Sequence, residues 1–213
     1  MNERYAWAGG SELLHVTPGT NGPSVIAAAP PFEEANRTRA FVATILRDLN
    51  ARGFTTALPD LPGQGESLAA TDAATLADWR SAFAAAAAAL PRPVHVIAVR
   101  AGALVDGAAD VASRWYLSPQ GGDALARELT RLTDDHGLVA GNDVAPELRG
   151  RLAGAEPATI APLRIVRLAS EKKPADRVVD AAPLWRRAEP DNDPTLAALL
   201  ADDIAEWIAT CGA

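Results

Sequence analysis

One cysteine, Cys211, is the whole thiol content of the chain, so no intramolecular disulfide can form and a reduced, cytoplasmic setting is expected. Histidine is almost as scarce: His15, His95 and His136 stand apart, and no His/Cys/Asp spacing converges on an ion, so neither a metal nor a cofactor is expected. Asp134-Asp135 beside His136 reads as a solvated turn, because adjacent positions rarely converge on one ion. Long apolar runs are missing as well. The longest, Phe83 to Leu90, is too short and alanine-rich to span a bilayer, and Met1 to Tyr5 leads into Gly9-Gly10 without the apolar segment of a signal peptide. Positive charge is in deficit, 20 Lys and Arg against 27 Asp and Glu for a net charge of −7, which argues against a broad nucleic-acid surface. None of the five tryptophans makes a basic-aromatic surface for nucleic acid, and Gly63 and Gly65 lack the lysine that a phosphate loop requires.

What is present is an alternation of apolar strand candidates and helix-compatible stretches. Strands are expected at Glu12 to Val16, Val25 to Ala29, Phe54 to Leu58, Val94 to Val99, Arg114 to Leu117 and Leu163 to Leu168. The alternating arginines of the last suggest a sheet edge. Helices are expected from an N-cap at Asn36 to about Arg52, from Thr75 to Leu90, from Ala124 to Leu132, near Glu147 to Leu152, and from Pro194 to Thr210. The six alanines from Ala84 to Ala89 fit a closely packed helix. This order implies one α/β domain over residues 1–213, a mostly parallel doubly wound sheet, with 121–161 as a small helical, cap-like insertion. Trp79 and Trp207 are expected in the core, and Ser67 as a structural cap on its glycine-rich loop.

The chain is organised around Val94 to Val105. A buried strand stops at Ala98-Val99-Arg100-Ala101-Gly102 and continues into an alanine-rich, helix-compatible stretch. Strand, sharp turn with small shoulders, then helix is the layout that exposes a nucleophile at the turn. Ala98 and Gly102 are the small shoulders, but the central residue is Arg100, whose guanidinium stays protonated and cannot attack a carbonyl.

With these pieces in place, the chain resembles the α/β-hydrolase superfamily over Ser24 to Leu117 and, more loosely, Leu163 to Thr210. The stretch from Gly53 to Ser67, with Pro59-Asp60-Leu61-Pro62-Gly63-Gln64-Gly65 at its centre, resembles that family's fourth-strand loop. Pro30-Pro31-Phe32-Glu33-Glu34 and Val99-Arg100-Ala101-Gly102 are similar to the exosortase A system-associated hydrolases. Asn142 to Leu148 and Ala182 to Trp185 are weaker echoes of the same group. The resemblance implies a bacterial protein encoded near exopolysaccharide and protein-sorting genes. It places Asp176 about where a triad acid belongs and Trp185 in the region of the expected histidine. No histidine follows His136, so two of the three triad members are missing and conventional serine hydrolysis is not expected.

Three functional readings follow. In the first, the degenerate hydrolase binds a small acyl or anionic ligand, or a protein partner, in the old cleft. Phe32, Glu33, Glu34, Arg100, Ala101, Asp176 and Trp185 would line that cleft. In the second, Glu33 or Glu34 is a general base activating water and Arg100 stabilises an anion. The third is a structural or assembly role in an exopolysaccharide pathway. Arg100 itself is read either as an anion ligand or as the ion-pair partner of Glu33 or Glu34, and a homodimer is open.

Overall fold

A computed structural model of the chain describes residues 2–139, 143–144 and 146–212. The echo assigned to residues 142–148 therefore falls in part outside the described residues.

The first hairpin is β1 (Asn2–Trp7) and β2 (Gly10–Thr17). β3 (Ser24–Ala28) is buried along its whole length and feeds α1 (Glu33–Ala51). β4 (Thr55–Pro59) and α2 (Leu76–Ala88) follow, then β5 (Val94–Val99), also entirely buried. After β5 the backbone makes two 3₁₀ turns, Arg100–Leu104 and Asp106–Ala108, before β6 (Ser113–Leu117). α3 (Gly122–Arg131), α4 (Pro146–Leu152), β7 (Leu163–Leu168), β8 (Arg177–Val179) and α5 (Pro194–Cys211) complete the order.

The strands form one eight-stranded sheet in the order β1-β2-β4-β3-β5-β6-β7-β8, with the β1–β2 and β2–β4 pairings antiparallel and the rest parallel. This is the mostly parallel, doubly wound α/β architecture expected from the sequence. Alternate residues of β5 face opposite cores. Val94, Val96 and Ala98 pack with α2 residues such as Trp79 and Phe83, whereas Ile97 and Val99 pack with Phe41 and Ile45 of α1 and Ile204 of α5. Chain connections run outward in both directions from the β3–β5 pair. That reversal opens a crevice at the strands' carboxyl ends, where such sheets place their ligands.

Several local expectations change. α1 begins at Glu33, not after Asn36: Phe32 is the cap residue, and its backbone N–H donates to Gln64 Oε1 at 2.9 Å. Glu33 and Glu34 then occupy the first turn, where the helix dipole favours acids. No α-helix follows the elbow. Gly102 and Gly107 weaken one, and the Asp106 carboxylate between them is tied to Arg114 Nε and Tyr116 Oη at 2.8 and 2.7 Å. β7 is not an edge strand, since β8 pairs beyond it. Its arginines are ion-paired, Arg164 with Asp203 and Arg167 with Glu171. Asp203 also accepts from Trp115 Nε1 and Arg177, which pins α5 across the sheet and draws its carboxyl pKa down to about 2 against the cost of burial. Trp207 is half-buried, with its indole N–H on the Arg114 carbonyl.

Candidate functional site

The turn after β5 is a sharp elbow. Arg100 has φ 55, a conformation that costs a non-glycine residue roughly 1–3 kcal/mol. Gly102 is there for space, since a Cβ at that position would lie 2.1 Å from the Ala28 carbonyl oxygen. The strand, bend and small shoulder read from the sequence are therefore all present, with an arginine at the apex.

The Arg100 side chain is held on three sides. Its Nε and Nη2 donate to Glu34 Oε1 at 3.3 and 3.2 Å, Nη2 lies 3.8 Å from Glu128 Oε2, and Cζ sits 5.0 Å from the Trp185 ring centroid. Gln120 Nε2 donates to the same Glu128 oxygen at 3.1 Å. Glu34 is buried, and among the described residues its Oε2 has no hydrogen-bond partner. Burial pushes its carboxyl up to about 7; Arg100 opposes the rise and Glu128 adds to it. Glu33 pairs with Arg37 at 3.3 Å, and Arg37 Nη1 in turn donates to the Trp185 carbonyl.

Arg100 and Trp185 form part of the wall of a polar cavity of about 640 Å³ between α3, the β7 loop and the 3₁₀ turn Leu184–Arg186. Seven cationic side chains line it: Arg37, Arg100, Arg127, Arg131, Arg167, Lys173 and Arg186, against only two carboxylates, Glu128 and Glu171. Arg127, Arg131, Lys173 and Arg186 have no carboxylate partner among the described residues. A separate apolar crevice beside β3 and β4, lined by Ala28, Pro31, Leu58, Trp79 and Phe83 among others, holds only about 60 Å³.

Of the residues expected to line the cleft, only Arg100 and Trp185 do so. Phe32 lies in the core, its ring edge-on to Trp79 at 5.6 Å. Ala101 is buried in the same core, and Glu34 stands behind Arg100 instead of facing the cavity. Asp176 lies at the opposite end of the sheet. The β7–β8 register puts it before Arg177, and its carboxylate accepts from the Ile165 backbone N–H at 2.7 Å. The acidic residue at the carboxyl end of β7 is instead Glu171. Glu171 and the α3 arginines were missed because their signal is spatial: α3 and the β7 loop are distant in sequence and meet only in the fold. Among the described residues no cluster of His, Cys, Asp and Glu could hold a metal ion. His95 is a core residue bonded to Ser113 Oγ, and Ser67 Oγ caps Gly63 and Ala69, so neither serves the site.

No family model and no curated protein matches the chain. Solved structures do match it over nearly its whole length. Est1E from Butyrivibrio proteoclasticus, with ferulic acid bound, superposes at TM-score 0.64 and 15% identity over 98% of each chain. Mouse alpha/beta hydrolase domain-containing protein 10 gives 0.68 and 11% over 99% of each. The bottromycin epimerase BotH, bound to bottromycin A2, gives 0.56 and 16% over 99% of this chain and 98% of that one. At such identities the likeness shows the fold, and the fold is that of the α/β hydrolases. Among the described residues no helix is long and apolar enough to cross a membrane.

Proposed function

We propose that this protein is a hydrolase-fold binder of small anions, without serine-hydrolase chemistry, whose ligand occupies the polar cavity over Arg100. One observation carries the reading: seven cationic side chains converge on a single cavity in a chain of net charge −7. Four of the seven lack a carboxylate partner among the described residues, and unpaired guanidinium forks suit carboxylate, sulfate or phosphoryl oxygens. The cavity, at about 640 Å³, has the size of a small-molecule site, while the 60 Å³ crevice is too small for an acyl chain. An anion is therefore favoured over an acyl ligand. The helix of the cap-like segment 121–161 supplies Arg127 and Arg131.

The elbow holds Arg100 where a nucleophile would stand, and Trp185 takes the region of the missing histidine, which supports the non-hydrolytic reading. Glu34 has a base-like pKa, yet it sits behind Arg100, so it serves better as a counter-charge than as a base meeting substrate. That neighbours of one fold include both an alpha/beta hydrolase domain-containing protein and an epimerase supports separating fold from reaction. Membership of the exosortase-associated group, and a role in that pathway, rest on the Pro30–Glu34 turn and the Val99–Gly102 elbow alone.

The test is thermal unfolding in sulfate against chloride at equal ionic strength. At ten times its Kd a bound anion adds about 1.4 kcal/mol, or roughly 3–6 °C for a domain of this size. Sulfate also stabilises proteins generally, so Arg127→Gln/Arg131→Gln serves as the control. A shift of that size in the native protein, and a much smaller one in the control, supports the reading. Equal shifts in both contradict it.

A further inference from the structure

The wide cavity does not end at Trp185. A second cavity of about 220 Å³ adjoins it, lined by Ser170, Lys172 and Pro183 together with Arg100, Glu171, Lys173, Trp185 and Arg186, and those last five also line the first. The two are thus one groove, with Arg100 and Trp185 at the junction. Its cations occur along its whole length. Arg127 and Arg131 of α3 lie in the wide part only, Lys172 in the narrow part only, and Lys173 and Arg186 face both. Lys172, like Lys173 and Arg186, has no carboxylate partner among the described residues.

A ligand with a single anionic group over α3 would leave Lys172, which lines the narrow part only, beside the shared Lys173 and Arg186 with no anionic group of the ligand over it. Like charges crowded without a counter-charge repel, and a second anionic group placed over them relieves that repulsion. Resting on the anion-cleft reading, the geometry points to an extended polyanion as the ligand, with one anionic group over α3 and another over Lys172. Chains of phosphoryl groups and small polycarboxylates share this chemistry.

The probes are sulfate, tripolyphosphate and citrate, titrated calorimetrically at one ionic strength without divalent metals. Tripolyphosphate or citrate is expected to bind at least tenfold more tightly than sulfate, and whichever does so identifies the phosphoryl or the carboxylate source. Lys172→Glu, an exposed substitution, is expected to weaken that longer anion fivefold or more and to leave sulfate within twofold. Arg127→Gln is expected to weaken both. Longer anions no tighter than sulfate, or a Lys172→Glu effect that is absent or equal for both, would overturn the extended-ligand inference while leaving the anion cleft standing. Failure of every anion to bind would remove the cleft reading itself.

Discussion

Arg100 donates from Nε and Nη2 to a single oxygen of Glu34, Oε1, and among the described residues the other oxygen of that buried carboxyl has no hydrogen-bond partner. The pair joins the first turn of α1 to the apex of the elbow. It holds a long charged side chain on a backbone position that residues other than glycine seldom adopt. Two carboxylates, Glu34 and Glu128, share this one guanidinium. Burial is what chiefly raises the Glu34 carboxyl to about 7, with Arg100 opposing the rise and the Glu128 charge adding to it.

Stability is expected to report that proton. Glu34 titrates near 7 in the folded protein against 4.5 ordinarily, so between those values the folded chain holds a proton that the unfolded chain has released. The stabilisation from the protonated carboxyl is complete below pH 4.5 and is lost as pH rises to 7, roughly 3 kcal/mol in all. Urea unfolding of native protein and Glu34→Gln across pH 4.5 to 8 is expected to show native stability falling relative to the variant. Parallel profiles would show that Glu34 is an ordinary carboxylate.

Coupling between the two residues is measurable by a double-mutant cycle. At pH 8, Arg100→Met leaves a buried carboxylate unpaired and is expected to cost about 3–5 kcal/mol. At pH 6 the loss is smaller, because Glu34 takes up a proton. Arg100→Met/Glu34→Leu is expected to cost less than the sum of the single changes, and additive losses would refute the pairing.

Much of this was legible in the sequence. The buried strands at Val25 and Val94 were continuous apolar runs, and Gly102 marked a close approach that the Ala28 carbonyl confirms. A pairing of Arg100 with Glu33 or Glu34 followed from topology, since the turn after β3 must face the elbow, and the partner is Glu34. Other features left no local trace. β1 buries only Tyr5 and shows no alternation, so nothing distinguishes it from a polar leader. The 3₁₀ turns after the elbow depend on Arg114 and Tyr116 gripping Asp106 from the next strand, a tertiary contact that overrides alanine's helix preference. Asp176 stood at a plausible distance along the chain, but the short β8 carries it to the wrong end of the sheet.

Gly102→Ala probes the elbow's shoulder. Its Cβ would meet backbone that cannot swing aside, so a loss of about 2–3 kcal/mol is expected by chemical denaturation. Gly150 in α4 has open space around it, and Gly150→Ala is expected to be neutral or stabilising by up to about 1 kcal/mol. Equal effects at the two sites would mean that the close packing at Gly102 is unimportant.

Activity probes address the chemistry. A fluorophosphonate is expected to leave the native protein unlabelled by mass spectrometry, because the elbow carries Arg100 in place of a serine and the Ser113 hydroxyl, although bonded to His95, is buried in the core. Arg100→Ser is expected to show no esterase turnover, with Trp185 and not histidine beside the elbow. Robust turnover in that variant would reveal a base that the geometry does not show.

The most direct measurement of the central claim is a calorimetric titration of sulfate into the native protein and into Arg127→Gln/Arg131→Gln at pH 6.5 and constant ionic strength. The cleft account predicts saturable one-to-one binding by the native protein, weakened at least tenfold in the variant. No saturable heat, or the same affinity in both proteins, would contradict it.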